Sequence, residues 1–94
     1  MRIWIVQSGG FAGLRREHAV DTGELPAAAA AELESRIDAA RFFDLPSRMT
    51  RPIPDAIQYR IRIERSGRSH EVVVDDQSAG AELRALVDRV LGGG

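Results

Sequence analysis

Residues 57–76, IQYRIRIERSGRSHEVVVDD, leave a folding chain few choices. Ile57, Tyr59, Ile61 and Ile63 alternate with Gln58, Arg60, Arg62 and Glu64, the period of two that marks a strand with one buried face. Beyond Ser66–Gly67 the alternation resumes with Val72 and Val74. A turn at Ser66–Gly67 sets Tyr59 opposite Val74, Ile61 opposite Val72 and Ile63 opposite His70. The other side then holds Arg62 opposite Glu71, a cross-strand pair worth about 0.2–1 kcal/mol. Slipping by one residue would turn every isoleucine into water, so the two halves specify a hairpin and its register together.

One hairpin cannot bury its apolar face alone. RIWIVQ, residues 2–7, reads as a buried strand, and LRREHAVD, residues 14–21, as a weaker one in which Leu14, His18 and Val20 share a parity. SGGFAG at 8–13 joins them as a second hairpin. TGELP opens a helix with Pro26 at its first position, where a missing N–H has no partner to lose. AAAAAELESRIDAAR continues it with high helix propensity, and Ala30, Leu33, Ile37 and Ala40 form one apolar stripe. Pro46 keeps Leu45 out of helical geometry, and Phe42 and Phe43 anchor the exit in the core. SRMTRPIPDA, residues 47–56, has no periodicity and reads as an irregular, mobile connection. A last helix begins near Ser78 as N-cap, with Leu83, Leu86, Val87, Val90 and Leu91 as its stripe, and the glycines at 92–94 end it as a frayed tail.

The element order is therefore ββαββα. Two amphipathic helices need an apolar layer, and two hairpins supply it. The expected fold is α+β: a four-stranded antiparallel sheet with both helices on one face, residues 1–91 forming a single domain. The opposite face stays open to water and carries Arg60, Arg62, Glu64, Glu71 and Val73. Trp4 and Val6 have the parity opposite to Ile3 and Ile5, so one of these apolar pairs reaches the open face. Alternation by itself does not choose between them.

Composition removes several function classes. Cysteine is absent, so disulfides, thiolate nucleophiles and cysteine-based zinc sites are excluded. The N-terminus has one charge and four apolar residues in a row, too few for a secretory signal. No run is long enough to span a bilayer. A cytoplasmic chain that binds no membrane is expected. Thirteen basic residues, all arginine, stand against fourteen acidic ones for a net charge of −1, where a nucleic-acid module would carry a basic excess. Arg60, Arg62, Arg65 and Arg68 are interleaved with Glu64 and Glu71, and Trp4 is the one aromatic available to stack a base. A solvated face is expected there, not a nucleic-acid site.

SGGFAG lacks the first glycine of G-x-G-x-x-G and is followed by a strand, not by the helix whose N-terminus would hold a pyrophosphate. His18 and His70 fall on different hairpins, and HEVVV at 70–74 lacks the second histidine of H-E-x-x-H, so no metal site is expected. Ser8, Ser66 and Ser69 sit in turns, where serine serves local hydrogen bonding. No catalytic constellation and no cofactor are expected, which makes the chain a non-enzyme. What remains for SGGFAG is presentation. Gly9, Gly10 and Gly13 permit positive φ and close approach of another backbone. Phe11, between them, is either a satellite of the core or an apolar group held out for a partner's pocket.

SGGFAG after a first strand, LP ahead of the first helix, ARFFDLP closing it, PDAIQYRI, GRSHEVVVDD and LRALVDRV together resemble the emfourin family across nearly the whole chain. These are small bacterial protein inhibitors of protealysin-like peptidases, members of the thermolysin family. The resemblance implies a protein-binding inhibitor without a cofactor of its own, whose partner holds zinc through its own H-E-x-x-H helix. Such peptidases bind substrate extended in a cleft and favour a bulky apolar residue just after the scissile bond. On that reading Ser8, Gly9, Gly10, Phe11, Ala12 and Gly13 form the partner-binding loop, and Phe11 fills that pocket. Secondary contacts fall to Trp4 on the sheet, to Pro54 in the Pro-rich connection, and to Asp44 or Asp55, either of which would reach the peptidase zinc. A monomer is expected ahead of a homodimer. The competing class is a non-inhibitory interaction module, or a homodimer, acting through the open sheet face.

Overall fold

The computed structural model describes residues 1–10, 13–52 and 56–92, with the side chain of Leu14 outside the description. The first hairpin pairs β1 (Arg2–Gly9) with β2 (Leu14–Asp21). Helix α1 (Ala27–Ala40) follows, then a two-residue strand β3 (Arg48–Met49). The second hairpin is β4 (Ile57–Arg65) and β5 (Arg68–Asp75), and helix α2 (Ala81–Gly92) ends the chain. The strands form one sheet in the order β2-β1-β4-β5-β3. β1 runs antiparallel to both β2 and β4, so it links the two hairpins at the centre of the sheet.

The second hairpin takes the register that its alternation dictates: Tyr59 faces Val74, Ile61 faces Val72 and Ile63 faces His70. Ser66 and Gly67 both have positive φ, 52° and 79°, as a two-residue hairpin turn of the primed type requires. Arg62 does stand opposite Glu71, but the ion pair forms on the diagonal, from Arg60 to Glu71 at 3.2 Å. Arg62 instead reaches Glu64 at 3.2 Å and Ser69 at 3.3 Å. Its guanidinium carbon lies 5.3 Å from the Trp4 ring centre, and that stacking draws it away from Glu71.

The core is continuous. Ile3, Ile5, Tyr59, Ile61, Ile63, Val72 and Val74 from one face of the sheet pack with Leu33 and Ile37 of α1 and with Leu83, Leu86, Val87 and Val90 of α2. Phe42 is buried at the exit of α1, and Phe43 packs partly buried against the same cluster. Glu32 of α1 ties the two helices together, accepting from Arg89 of α2 at 3.0 Å and Arg36 at 3.2 Å. Those bonds, Arg89 first, hold its pKa below the usual carboxylate value. Isoleucines 3 and 5 face the helices, so Trp4 and Val6 belong to the open face.

Three expectations are corrected. The sheet is mixed and five-stranded, not four-stranded and antiparallel, because β3 adds to β5 in parallel. That strand lies inside the segment read as an irregular connection, where the Val73 amide donates to the Ser47 carbonyl at 2.9 Å. Two residues are too few to show an alternation. Pro26 precedes α1 as its N-cap and is not its first residue. Finally, α2 starts at Ala81, three residues after the expected cap. Ser78 donates its amide and its hydroxyl to Asp75, both at 2.9 Å, so it closes an Asx-type turn and is not free to cap a helix. The first helical bond comes from Arg84 to the Gly80 carbonyl at 2.9 Å.

Candidate functional site

The glycine segment sits where β1 ends. Gly9 is the last residue of the central strand, paired with Leu14 on one side and Ile57 on the other. Its φ is 97°, and a Cβ built on it would lie 2.5 Å from the Ala56 carbonyl oxygen. No real side chain tolerates that separation, so the backbone itself occupies the space between β1 and the start of β4. The Gly13 amide donates to the Gly10 carbonyl at 3.2 Å and closes the hairpin across the two residues between them. Those two, Phe11 and Ala12, lie outside the described residues.

The second loop at this end is the connection from β3 to β4. Pro54 and Asp55 also lie outside the described residues, but both flanks of that segment are in place. The C-terminal flank, Ala56–Ile57, abuts Gly9. The N-terminal flank is held by Asp75, whose carboxylate accepts from the Arg51 amide at 2.7 Å. Asp75 is fully buried and also accepts from the Gln77 amide at 3.0 Å and from Ser78. Burial alone would raise its pKa. The bond from Arg51 and those from Ser78 and Gln77 outweigh burial and hold it below the usual value. A second tie, from the Asp76 amide to the Ile57 carbonyl at 2.9 Å, joins β5 to the start of β4. Sequence reading passed over Asp75. The trace it left is an Asp with Ser three residues on, in DDQS at 75–78.

The residues singled out as partner contacts therefore separate into groups. Gly9, Gly10 and Gly13 gather at the end of the sheet beside Ala56. Ser8 is half-buried next to them, in one row with Arg15 and Gln58 on the open face. Trp4 is also half-buried on that face, but midway along β1. Asp44 belongs elsewhere: it closes a short 3-10 turn, Phe42–Asp44, and the adjacent Phe43 ring lies 4.9 Å from the guanidinium carbon of Arg68, the first residue of β5. That is the opposite end of the sheet from Gly9, so Asp44 does not share a surface with the glycine loop.

The histidines also part company. His70 is tucked against Phe42 and Phe43, with Nε2 2.8 Å from the Leu45 carbonyl, while His18 is exposed on the outer strand. Among the described residues no group of three or more histidine, aspartate or glutamate side chains is gathered as a metal ion would need. No helix among them is long and apolar enough to cross a membrane.

The family model for Emfourin matches residues 5–91, from the middle of β1 to the last turn of α2. The chain belongs to the Emfourin family. No curated protein and no solved structure matches it. Emfourin membership suggests a metallopeptidase-inhibitor role, and an inhibitor family is consistent with a chain that performs no catalysis. The matched span contains β1 from Ile5 onward, all of β2, α1, β3, β4 and β5, and α2 up to Leu91.

Proposed function

We propose that this chain inhibits a thermolysin-like, protealysin-type zinc metallopeptidase by inserting the SGGFAG loop into the active-site cleft. The observation that carries the reading is the backbone at Gly9, with its positive φ and its carbonyl neighbour at Ala56, in a chain of the Emfourin family. A loop whose base is locked before binding loses little entropy when a cleft closes on it, and tight inhibition depends on that. Phe11 is the apolar group for the pocket after the scissile bond, and the narrow Gly9–Gly10 backbone approaches the cleft wall. Arg51 and Ala56 are both fixed near this end, and in this reading Pro54 and Asp55, between them in sequence, supply further contacts. Of the two carboxylates considered for the peptidase zinc, Asp44 lies at the far end of the sheet from Gly9, so this reading keeps Asp55.

The test is a titration of a thermolysin-like peptidase with the wild-type chain and with Phe11→Ala. Burial of a phenyl ring is worth about 1.5–3 kcal/mol, so inhibition should weaken roughly 10- to 150-fold. The melting temperature should hardly move. Equal losses in both would assign Phe11 to the core. Absence of inhibition by the wild-type chain would remove the reading altogether. A second variant replacing Phe11–Ala12 by Ser–Asn, with Gly9 kept, tests the loop without disturbing its base.

A further inference from the structure

The open face of the sheet has an arrangement that the inhibitor reading does not use. Trp4 and Val6 of β1 stand half-buried on it as an apolar stripe. On one side of them runs β4, with Arg62 level with Trp4 and Arg60 level with Val6. On the other side runs β2, with Ala19 level with Trp4 and Glu17 level with Val6. An apolar line is thus flanked by a β4 column of Gln58, Arg60, Arg62 and Glu64 and a β2 column of Arg15, Glu17, Ala19 and Asp21, with Arg60 and Glu17 at the level of Val6. Rotation by 180° about an axis lying along β1, in the plane just above the face, exchanges the two columns.

From this we propose that two copies of the chain associate face to face through the open sheet, around a two-fold axis along β1. The axis lays Trp4 and Val6 on the same residues of the second copy and brings Arg60 of each copy over Glu17 of the other. Packed sheets lie about 10 Å apart, a gap that arginine and glutamate side chains span together. Their strands cross at about 30°, which moves columns one strand from the axis by little. In the outer row Glu64 would face Asp21, but each already has an arginine, Arg62 at 3.2 Å and Arg2 at 3.6 Å. Arg60 and Glu17 likewise keep partners within one copy, Glu71 at 3.2 Å and Arg15 at 2.6 Å. Such exposed pairs are worth little in water, and the contact encloses them in a shared network. Because the axis follows the strands, Gly9 of both copies lies at the same end of the complex.

The experiment is sedimentation over a concentration series, with emission of the chain's single tryptophan followed on dilution. Association should appear as a mass that doubles with concentration and an emission maximum that moves to longer wavelength as the complex dilutes. Glu17→Arg sets like charges over Arg60, and Arg60→Glu sets them over Glu17. Either alone should weaken association roughly tenfold. An equimolar mixture of the two variants should restore it, because each mixed pair regains opposite charges at both positions. Both sites are exposed, so folding is not at risk, and peptidase titration is unaffected by the outcome. A monomer at every concentration, a dimer indifferent to both reversals, or tryptophan emission that shifts with peptidase alone would overturn the proposal.

Discussion

An alanine at position 9 would place its methyl carbon 2.5 Å from the Ala56 carbonyl oxygen, at a φ of 97°. Gly13, at φ 60°, has nothing within 4 Å of the same construction. The two substitutions separate steric exclusion from backbone preference. Gly13→Ala is expected to cost about 1–2 kcal/mol, the left-handed penalty alone, and Gly9→Ala about 2–3 kcal/mol or more, which for a domain of this size is roughly 10–20 °C in melting temperature. Chemical denaturation of both variants checks the order. Asp75 gives a residue-scale prediction in pH. Its folded pKa lies below the ordinary carboxylate value, so the stability it contributes is complete above about pH 3.9. That contribution is lost as pH falls through the lower folded value. Acid titration of the melting temperature should show this limb in the wild-type chain, and Asp75→Ala should lack it while being less stable at neutral pH. An unchanged limb in the variant would assign the acid sensitivity elsewhere.

At the scale of elements, α1 ends on Arg41 in the left-handed conformation, φ 51°, with its amide bonded to the Ile37 and Asp38 carbonyls. Glycine is the residue this cap favours, so Arg41→Gly is expected to stabilise the protein by about 0.5–1 kcal/mol, read as a rise of a few degrees in melting temperature. The elements that sequence read best are those whose side chains repeat. Ile57 to Ile63 alternate against Val72 and Val74, and Leu83 to Val90 recur at helical spacing, so burial on one face selects both structure and register. Those it missed have no repeat to read. β3 is two residues long and is held by β5, a partner more than twenty positions away in sequence, through backbone bonds that any residue can make. The start of α2 moved because Ser78 had a stronger partner in Asp75, a competition between two local hydrogen-bonding options that a single N-cap rule does not weigh.

For the molecule as a whole, β1 and β4 are flanked on both sides while β2 and β3 form the edges. Native-state hydrogen exchange should therefore be slowest in β1, β4 and β5, which supply the buried strand residues, and faster in β2, whose side chains are largely exposed. Comparable protection of β2 would mean that something covers its outer edge. The two ends of the sheet also differ in composition. At one end, Gly9 lies against the Ala56 carbonyl and the buried Asp75 holds the Arg51 amide. At the other, Arg65 pairs with Asp38 at 2.7 Å and Arg68 stacks on Phe43, which fixes the turn of the second hairpin to α1.

Periodicity within the sequence determined the two hairpins, the two helices and the faces they bury, because each of those depends on neighbours a few residues apart. It also marked SGGFAG as a loop that needs glycine. The tertiary structure decided that Trp4 and Val6, not Ile3 and Ile5, look outward, since an alternating strand has two equivalent apolar faces until another layer covers one of them. It also brought Ala56 against Gly9 and Arg51 onto Asp75, across distances along the chain that no local pattern encodes. Long-range pairing costs loop entropy that only the assembled core repays, and for that reason the geometry of the candidate site is written in the fold and not in any one stretch of residues.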